Sequence, residues 1–200
     1  MTIGILGGGV WGSALARTLS QQKVIIYARD ENIVKSINEH KINPKLKYSS
    51  FNNNVSATSV LSEFKDVNFL FVALPAQKIR KVIEDSKLNN IKNVILCSKG
   101  IEISSSKFLT EVIKEVTTYK TISVLSGPSF SSEVSQNLPT AVTLATETKK
   151  VFESISGLIT SKNFRMYYSS DIIGTQIGGA LKNIYAIASG ISEGLNLGEN

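Results

Sequence analysis

Short runs of apolar, mostly β-branched residues recur along the first 170 residues of the chain and predict strands. The runs cover residues 2–6, 24–28, 68–73, 94–98, 122–125, 141–145 and, as a seventh candidate, 164–168. Residues 69–73 (FLFVA) contain no polar position, which is typical of strands buried on both faces of a parallel sheet. The pattern therefore predicts a sheet that is covered on both sides.

Amphipathic segments with helical spacing lie between most of the predicted strands. They cover residues 11–21, 31–39, 77–86, 106–115 and 149–159. This alternation of strands and helices predicts an α/β domain with a doubly wound, mostly parallel sheet. Residues 43–58 are rich in Asn and Ser and show little periodicity, so we predict an exposed loop there.

The last segment of the chain departs from this alternation. From Asp171 to about Asn196, apolar residues recur at the spacing of one long helix, for which Asp171 is the expected N-cap. The apolar positions are Ile173, Ile177, Leu181, Ile184, Ala188 and Ile191. We therefore expect an α/β domain over residues 1–170. Residues 171–200 would form the first helix of a second, all-helical domain that these 200 residues do not complete.

Composition excludes several classes of protein. The chain is 42% hydrophobic and 19% charged, which is typical of a globular protein. It contains no apolar run near the roughly 18 residues that span a bilayer and no signal-peptide pattern, so we expect no membrane insertion. Cys97 is the single cysteine; we expect a buried thiol and a cytoplasmic location. The net charge of +6 comes from scattered Lys and Arg, so no nucleic-acid partner is expected.

Residues 7–12 form the pattern Gly-x-Gly-x-x-Gly between the first predicted strand and the first predicted helix. Inside a βαβ unit, this pattern is typical of Rossmann-type dinucleotide-binding domains. Gly7 allows a tight turn, Gly9 lets the backbone approach a pyrophosphate, and Gly12 lets helix and strand pack closely. The helix N-terminus that follows presents free N–H groups to the anion. We expect Trp11, the only tryptophan, to form a wall of the cofactor site.

The end of the second predicted strand distinguishes between the two nicotinamide cofactors. An acidic residue there binds the ribose 2′-hydroxyl of NAD, whereas an arginine accommodates the 2′-phosphate of NADP. Arg29 occupies this position and Asp30 follows it. We therefore predict NAD or NADP as the cofactor, with NADP preferred, and no metal ion.

Further clusters follow the predicted strands at residues 74–76, 98–100 and 126–130, where a doubly wound fold has its site. The glycine loop, residues 98–100 (SKG), 126–130 (SGPSF), 138–141 (LPTA) and 178–183 (GGALKN) occur in this order. Together they resemble bacterial NAD(P)-dependent glycerol-3-phosphate dehydrogenase, from Met1 to Asn200. The resemblance implies hydride transfer between NAD(P)H and dihydroxyacetone phosphate or sn-glycerol 3-phosphate, supplying glycerol 3-phosphate for phospholipid synthesis.

The resemblance also implies roles for individual residues. Lys182 corresponds to the family's catalytic lysine, and Lys99 corresponds to a lysine that touches both cofactor and substrate. Gly127 and Ser129 correspond to substrate-binding positions. The corresponding cofactor-binding positions are the glycines of the loop, Val10, Trp11, Arg29 and Ser131.

This sequence departs from the family pattern in three respects. Val10 stands where many members have Ser, so a hydroxyl contact to phosphate is lost and the backbone N–H remains. Ser131 stands where Ala is frequent. The family's Asp near the catalytic lysine and its Arg-Asn pair for the substrate phosphate would come after Asn200, so we expect the chain to be incomplete.

Lys182 suits a proton relay on independent grounds. Its helical neighbours are Gly178, Gly179, Ala186 and Ser189, a small-residue face that leaves room for a ligand. Each glycine inside a helix costs roughly 1 kcal/mol relative to Ala, so two adjacent ones indicate a need for close approach. Desolvation or a nearby cation, such as the Lys99 ammonium, favours the neutral lysine that a general base requires.

Two other functions stay open at this point. One is a related hydroxyacid dehydrogenase with the same two-domain plan, against which the segments around Lys99 and at residues 126–130 argue. The other is a dinucleotide-binding fragment without activity. In each case we expect a small-molecule partner, which is a phosphate substrate if the chain is a glycerol-3-phosphate dehydrogenase. We also expect self-association, for example as a homodimer, through the apolar stripe of the last helix.

Overall fold

An eight-stranded sheet forms the centre of the molecule. The computed structural model describes residues 1–46, 50–89, 91–159 and 161–198. The strands are β1 (Thr2–Leu6), β2 (Lys23–Tyr27), β3 (Val55–Thr58), β4 (Phe69–Val72), β5 (Asn93–Leu96), β6 (Thr121–Ser126), β7 (Thr140–Ala145) and β8 (Phe164–Ser169). Their order is β3-β2-β1-β4-β5-β6-β7-β8. Among the described pairs only β6–β7 is antiparallel, which confirms the predicted doubly wound, mostly parallel sheet.

Helices connect the strands and cover both faces of the sheet. They are α1 (Val10–Thr18), α2 (Glu31–Lys35), α3 (Ile79–Ser86), α4 (Leu109–Val116), α5 (Ser131–Ser135), α6 (Lys149–Ser156) and α7 (Ile172–Gly194). A π-helical turn (Ser36–His40) extends α2, and short 3₁₀ segments occur at Leu61–Phe64 and Ala76–Lys78. Each predicted helix is present, although several are shorter than their periodicity indicated.

Two apolar clusters fill the space between the sheet and its helices. Successive residues of β4 alternate between them, with Phe71 in one cluster and Leu70 and Val72 in the other. Because neighbouring side chains of a strand point to opposite faces, the clusters lie on opposite sides of the sheet. Leu15 of α1 belongs to the first cluster and Ile83 of α3 to the second. This two-sided burial explains the unbroken apolar run in β4.

The prediction of an exposed loop over residues 43–58 is wrong in part. Residues 55–58 form β3, the edge strand, which pairs in parallel with β2. Val55, Phe51 and Leu46 are buried in the first cluster. The few apolar side chains in this polar segment become ordered because β2 offers a free edge, which local periodicity does not reveal. Residues 47–49 of the predicted loop lie outside the described residues.

Helix α7 is the long predicted helix, and Asp171 caps it as expected. The Asp171 Oδ1 atom accepts a hydrogen bond from the Gly174 backbone N–H at 2.7 Å. The first turns of α7 pack against β6, and the buried Gln176 side chain donates from Nε2 to the Thr110 Oγ1 atom of α4 at 2.9 Å. No helix within the described ranges is long and apolar enough to cross a membrane.

Candidate active site

A large cavity opens at the carboxyl ends of the parallel strands, where the connections from β1 and β4 diverge. Its volume is about 800 Å³, and we call it the first cavity. The glycine loop after β1, Arg29 after β2, Leu74 after β4 and Lys99 after β5 all contribute to its lining. A crevice at this switch point is the usual ligand site of a doubly wound sheet.

The three motif glycines differ in what surrounds them. Gly7 has a φ angle of +130°, and a Cβ atom there would lie 2.4 Å from the Ala73 carbonyl oxygen. A Cβ atom on Gly12 would lie 1.9 Å from the Gly7 oxygen, so helix and strand pack as closely as predicted. A Cβ atom on Gly9 would meet nothing within 4 Å and would instead take up open space of the cavity.

The N-terminus of α1 is available to an anion. Gly9 is its N-cap residue and has no side chain with which to cap the first N–H groups of the helix. Val10 and Trp11 line the first cavity. Trp11 is half-buried against the core, and its indole Nε1 donates to the Cys97 carbonyl oxygen at 3.2 Å. The tryptophan therefore forms a cavity wall and also anchors α1 to the end of β5.

Arg29 and Asp30 have different surroundings at the end of β2. The Arg29 side chain is exposed and lines the first cavity. Asp30 is the N-cap of α2, where its Oδ1 atom accepts from the Asn32 N–H at 3.0 Å. Its Oδ2 atom lies 4.0 Å from the Lys45 Nζ atom. Both residues line the first cavity, but the Asp30 carboxylate also caps α2 and faces a cation.

A smaller second cavity, of about 410 Å³, adjoins the first beneath α7. Lys182, Gly127 and Phe130 contribute to its lining, and the Lys182 Nζ atom lies 5.4 Å from the centre of the Phe130 ring. Among the residues that the structure describes, Lys99 alone lines both cavities. A side chain at this junction can contact a ligand on either side.

Lys99 has a constrained environment. Its Nζ atom donates to the Gly127 carbonyl oxygen at 3.0 Å. Burial lowers the pKa of the Lys99 ammonium, and the positive charge of Lys182 lowers it further. The two lysines therefore form a positively charged pair beside the second cavity, which favours an anionic ligand.

The segment after β6 distributes its residues over both cavities. Gly127 lines the second cavity, and a Cβ atom there would lie 2.9 Å from the Val142 Cα atom of β7, so only glycine fits. Ser129 and Ser131 line the first cavity. Ser131, assigned to the cofactor from sequence, and Ser129, assigned to the substrate, therefore line the same cavity.

The two adjacent glycines of α7 have different surroundings. A Cβ atom on Gly179 would lie 2.8 Å from the Ser126 Oγ atom, so the absence of a side chain lets α7 approach β6. A Cβ atom on Gly178 would meet nothing within 4 Å and would extend from the lining of the second cavity. Ala186 and Ser189, named with them on sequence grounds, are exposed and line neither cavity.

Several cavity residues were not identified from the sequence. Lys45 and Lys78 line the first cavity, and Thr143 and Thr175 line the second. Only the spatial proximity of separate segments reveals these four. Phe130 belongs to the recognised cluster at residues 126–130, but its position under Lys182 requires the structure.

The single cysteine and the single histidine of the sequence differ in burial. Cys97 is buried, and burial raises the pKa of its thiol, as expected for an inert structural cysteine. His40 is exposed on the π-helical turn and lines neither cavity.

Comparison with known proteins identifies the relatives of this chain. The family profile described as NAD-dependent glycerol-3-phosphate dehydrogenase N-terminus matches residues 2–152, and the corresponding C-terminus profile matches residues 171–200. Glycerol-3-phosphate dehydrogenase (NAD(P)+) of Parvibaculum lavamentivorans is 40% identical over 99% of this chain. The enzyme of the same name from Zymomonas mobilis is also 40% identical over 99% of the chain.

Solved structures agree with this assignment. Glycerol-3-phosphate dehydrogenase of Coxiella burnetii matches with a TM-score of 0.87 and 32% identity, over 100% of this chain and 63% of that one. The Plasmodium falciparum enzyme matches with a TM-score of 0.90 and 26% identity, over 98% and 60%. The chain spans 61% of the length of the Parvibaculum relative and 58% of the Zymomonas relative. By sequence and by fold, the chain belongs to the NAD-dependent glycerol-3-phosphate dehydrogenase family.

Proposed function

We propose that this chain carries the cofactor site and part of the substrate site of an NAD(P)-dependent glycerol-3-phosphate dehydrogenase. The reaction interconverts dihydroxyacetone phosphate and sn-glycerol 3-phosphate. The observation that carries the proposal is the junction at Lys99, where a large cavity behind a glycine loop meets a smaller, lysine-lined cavity. A redox cofactor and its substrate need two adjoining sites of this kind, since hydride passes directly between them.

The first cavity fits a dinucleotide. The uncapped N-terminus of α1 and the open space at Gly9 suit a pyrophosphate, which helix N–H groups and the helix dipole stabilise. Arg29 suits the 2′-phosphate of NADP, while Asp30 is engaged in capping α2. When bound, a nicotinamide cofactor supplies the hydride; the residues of the chain orient it and exclude competing contacts. We therefore propose NADP as the preferred cofactor and NAD as the alternative.

In this proposal the second cavity holds the phosphate substrate, and Lys182 transfers the proton. During reduction, the C2 carbonyl carbon gains hydride and its oxygen takes a proton from the Lys182 ammonium; the reverse reaction returns both. From the junction, Lys99 contacts the cofactor and orients the carbonyl end of the substrate, and the Gly127 oxygen fixes the Lys99 side chain. An anionic substrate also offsets the repulsion between the two lysines.

The wider context of the enzyme is likewise proposed. The product, sn-glycerol 3-phosphate, is a precursor of phospholipids, and a buried free cysteine fits the reducing cytoplasm. The division into residues 1–170 and 171–200 is supported by the position of α7, which follows the last strand of the sheet. Self-association as a homodimer is supported by the exposed apolar side chains of α7.

Turnover and binding assays test this function. NADPH and NADH binding is measured by fluorescence titration, and oxidation of NADPH is followed with dihydroxyacetone phosphate and with simple 2-keto acids. The proposal expects dinucleotide binding and, in any form of the protein that turns over, selectivity for dihydroxyacetone phosphate. Preference for a 2-keto acid would instead identify a related hydroxyacid dehydrogenase. Absence of dinucleotide binding would refute the proposal.

A further inference from the structure

The backbone that follows Lys99 is folded into a compact loop. Gly100 has a φ angle of +130°, and Ile101 then pairs with Phe108 in an isolated antiparallel bridge. Glu102 closes the loop further, because its N–H donates to the Lys107 oxygen at 3.0 Å. The position of Lys99 therefore depends on how this loop, residues 101–108, is attached to the rest of the domain.

A buried carboxylate attaches the loop to α3. Glu102 is only 5% exposed. The Arg80 guanidinium of α3 donates to its carboxylate from Nε at 3.0 Å and from Nη2 at 2.7 Å. The Ser105 hydroxyl donates to the same carboxylate at 2.6 Å, and these hydrogen bonds hold the pKa of Glu102 below its usual range. The Arg80 Nη2 atom also donates to Glu115 of α4 at 2.8 Å, so one arginine joins the loop to two helices.

The Gln77 side chain, from the same connection after β4, also binds the loop backbone. The Gln77 Nε2 atom donates to the Ile101 oxygen at 2.8 Å, and its Oε1 atom accepts from the Ile103 N–H at 3.0 Å. On the other side of Lys99, the Ser98 hydroxyl donates to the Leu74 oxygen at 2.6 Å. The residues on both sides of Lys99 are thus hydrogen-bonded to the connection that follows β4.

We propose that Arg80 is a positioning residue for Lys99: its bidentate ion pair with Glu102 fixes the loop so that the Lys99 ammonium stays at the junction of the two cavities. Arg80 lines neither cavity, so it acts on a ligand only through the loop. Glu102 is buried while Arg80 is only partly buried, so removing Arg80 leaves a buried carboxylate without its cation. This inference rests on the proposed cofactor role of Lys99.

A double-mutant cycle tests the proposal on the 200-residue chain. The NADPH dissociation constant is measured for the unmodified chain, for Arg80→Met, for Lys99→Met and for the double variant. We expect Arg80→Met to weaken NADPH roughly 5- to 10-fold, the scale of coupling within one contact network. In the Lys99→Met background the same change should have no further effect, because the group it positions is gone. Arg80→Lys should bind NADPH more tightly than Arg80→Met does, since it keeps the positive charge but cannot form the bidentate pair.

Two further variants separate positioning from a general loss of stability. Glu102→Gln preserves the shape of the side chain and, if Arg80→Met fails to fold, replaces it in the same cycle. The Thr148 hydroxyl caps the N-terminus of α6 by accepting from the Val151 N–H, and Thr148 lines neither cavity. Thr148→Ala removes this cap. It should lower the melting temperature without weakening NADPH.

The outcomes distinguish the two proposals. If NADPH binds the unmodified chain, but the Arg80→Met and Lys99→Met losses multiply, Arg80 does not act through Lys99 and the positioning role is overturned. An equal loss of affinity in Thr148→Ala would overturn it as well. If the unmodified chain does not bind NADPH, or Lys99→Met binds it unchanged, the proposed cofactor role of Lys99 is itself wrong, and the positioning role is refuted with it.

Discussion

Arg29 and Asp30 are neighbours in sequence, yet the structure gives them separate tasks. Both line the first cavity, but Asp30 also caps α2 and faces Lys45. One carboxylate oxygen of Asp30 accepts the helix N–H and the other lies 4.0 Å from the Lys45 Nζ atom, so a ribose 2′-hydroxyl has to compete with these partners. The ambiguity between NAD and NADP in the sequence thus turns on the conformation of Asp30, which the order of residues does not reveal.

Replacing Arg29 tests this division. Arg29→Ala should weaken NADPH roughly 10- to 100-fold, because charge-assisted hydrogen bonds to the 2′-phosphate are lost, and should leave NADH nearly unchanged. Fluorescence titration with both cofactors measures the effect. Lys35→Ala, at an exposed lysine of α2 that lines neither cavity, is the matched control. Equal losses for the two cofactors would contradict the role given to Arg29.

Lys182 offers a test of proton transfer. In a form of the protein that turns over, Lys182→Ala should lower kcat roughly 100-fold or more, the usual contribution of a general acid–base group. Lys182→Arg should not rescue it, since a guanidinium keeps the positive charge but does not release a proton. NADPH affinity should change little, because Lys182 lines only the second cavity. Steady-state kinetics with dihydroxyacetone phosphate decide the matter; near-normal kcat in either variant would remove Lys182 from the proposed step.

At the scale of elements, the approach of α7 to β6 sets the size of the second cavity. Gly179 faces the Ser126 hydroxyl, whereas Gly178 faces open space. A helical alanine is favoured by about 1 kcal/mol over glycine at either position. At Gly178 this gain stands alone, whereas at Gly179 overpacking costs about 1 to 3 kcal/mol against it, so Gly179→Ala should be the less stable variant. Thermal or urea unfolding compares the two.

A second change shows whether the clash is the cause. Ser126→Ala removes the hydroxyl whose oxygen would lie 2.8 Å from the new Cβ atom, so the double variant with Gly179→Ala should regain most of the lost stability. If Gly179→Ala is harmless, or if Ser126→Ala gives no relief, the close approach of α7 does not depend on this contact.

The elements show which parts of the fold the sequence could predict. Strands β1, β4 and β5 were readable because burial on both faces leaves an apolar run, and Asp171 was readable as an N-cap because capping is a local interaction. Strand β3 was missed because its pairing partner, not its own pattern, makes it a strand. Helix α5 has only five residues, too few to display a period.

The helix predicted over residues 106–115 begins later, at Leu109, for a similar reason. The residues before it belong to the loop that Glu102 and Arg80 hold in place. In the site, the glycine loop and the strand-end clusters were predictable because a doubly wound sheet brings strand ends together. The side on which Ser129 lies and the presence of Lys45 follow from loop conformations, which have no periodic signal.

At the scale of the whole molecule, α7 exposes a row of large apolar side chains. Ile184, Ile187 and Ile191 are each more than half exposed. We expect the 200-residue chain to bind NADPH. We also expect it to self-associate through this face, because burying exposed apolar patches favours association in water. Sedimentation velocity over a range of concentrations measures the association.

Substitutions distinguish this surface from general stickiness. Ile184→Lys combined with Ile187→Lys should shift the chain toward monomer. Ile103→Lys, at another exposed isoleucine on the loop after Gly100, should leave the association unchanged. If the Ile103 variant dissociates the chain equally, or the α7 variant stays associated, the contact lies elsewhere.

The position of Lys99 between the two cavities has a thermodynamic consequence. In the proposed arrangement its ammonium contacts both ligands, so a ligand that fills either cavity changes the free energy with which the other is filled. Linkage makes this change reciprocal: the factor by which substrate alters the dissociation constant of NADPH equals the factor by which NADPH alters that of substrate. Replacing Lys99 removes the route through which that factor passes. The two binding events would then approach independence, even where each remains measurable alone.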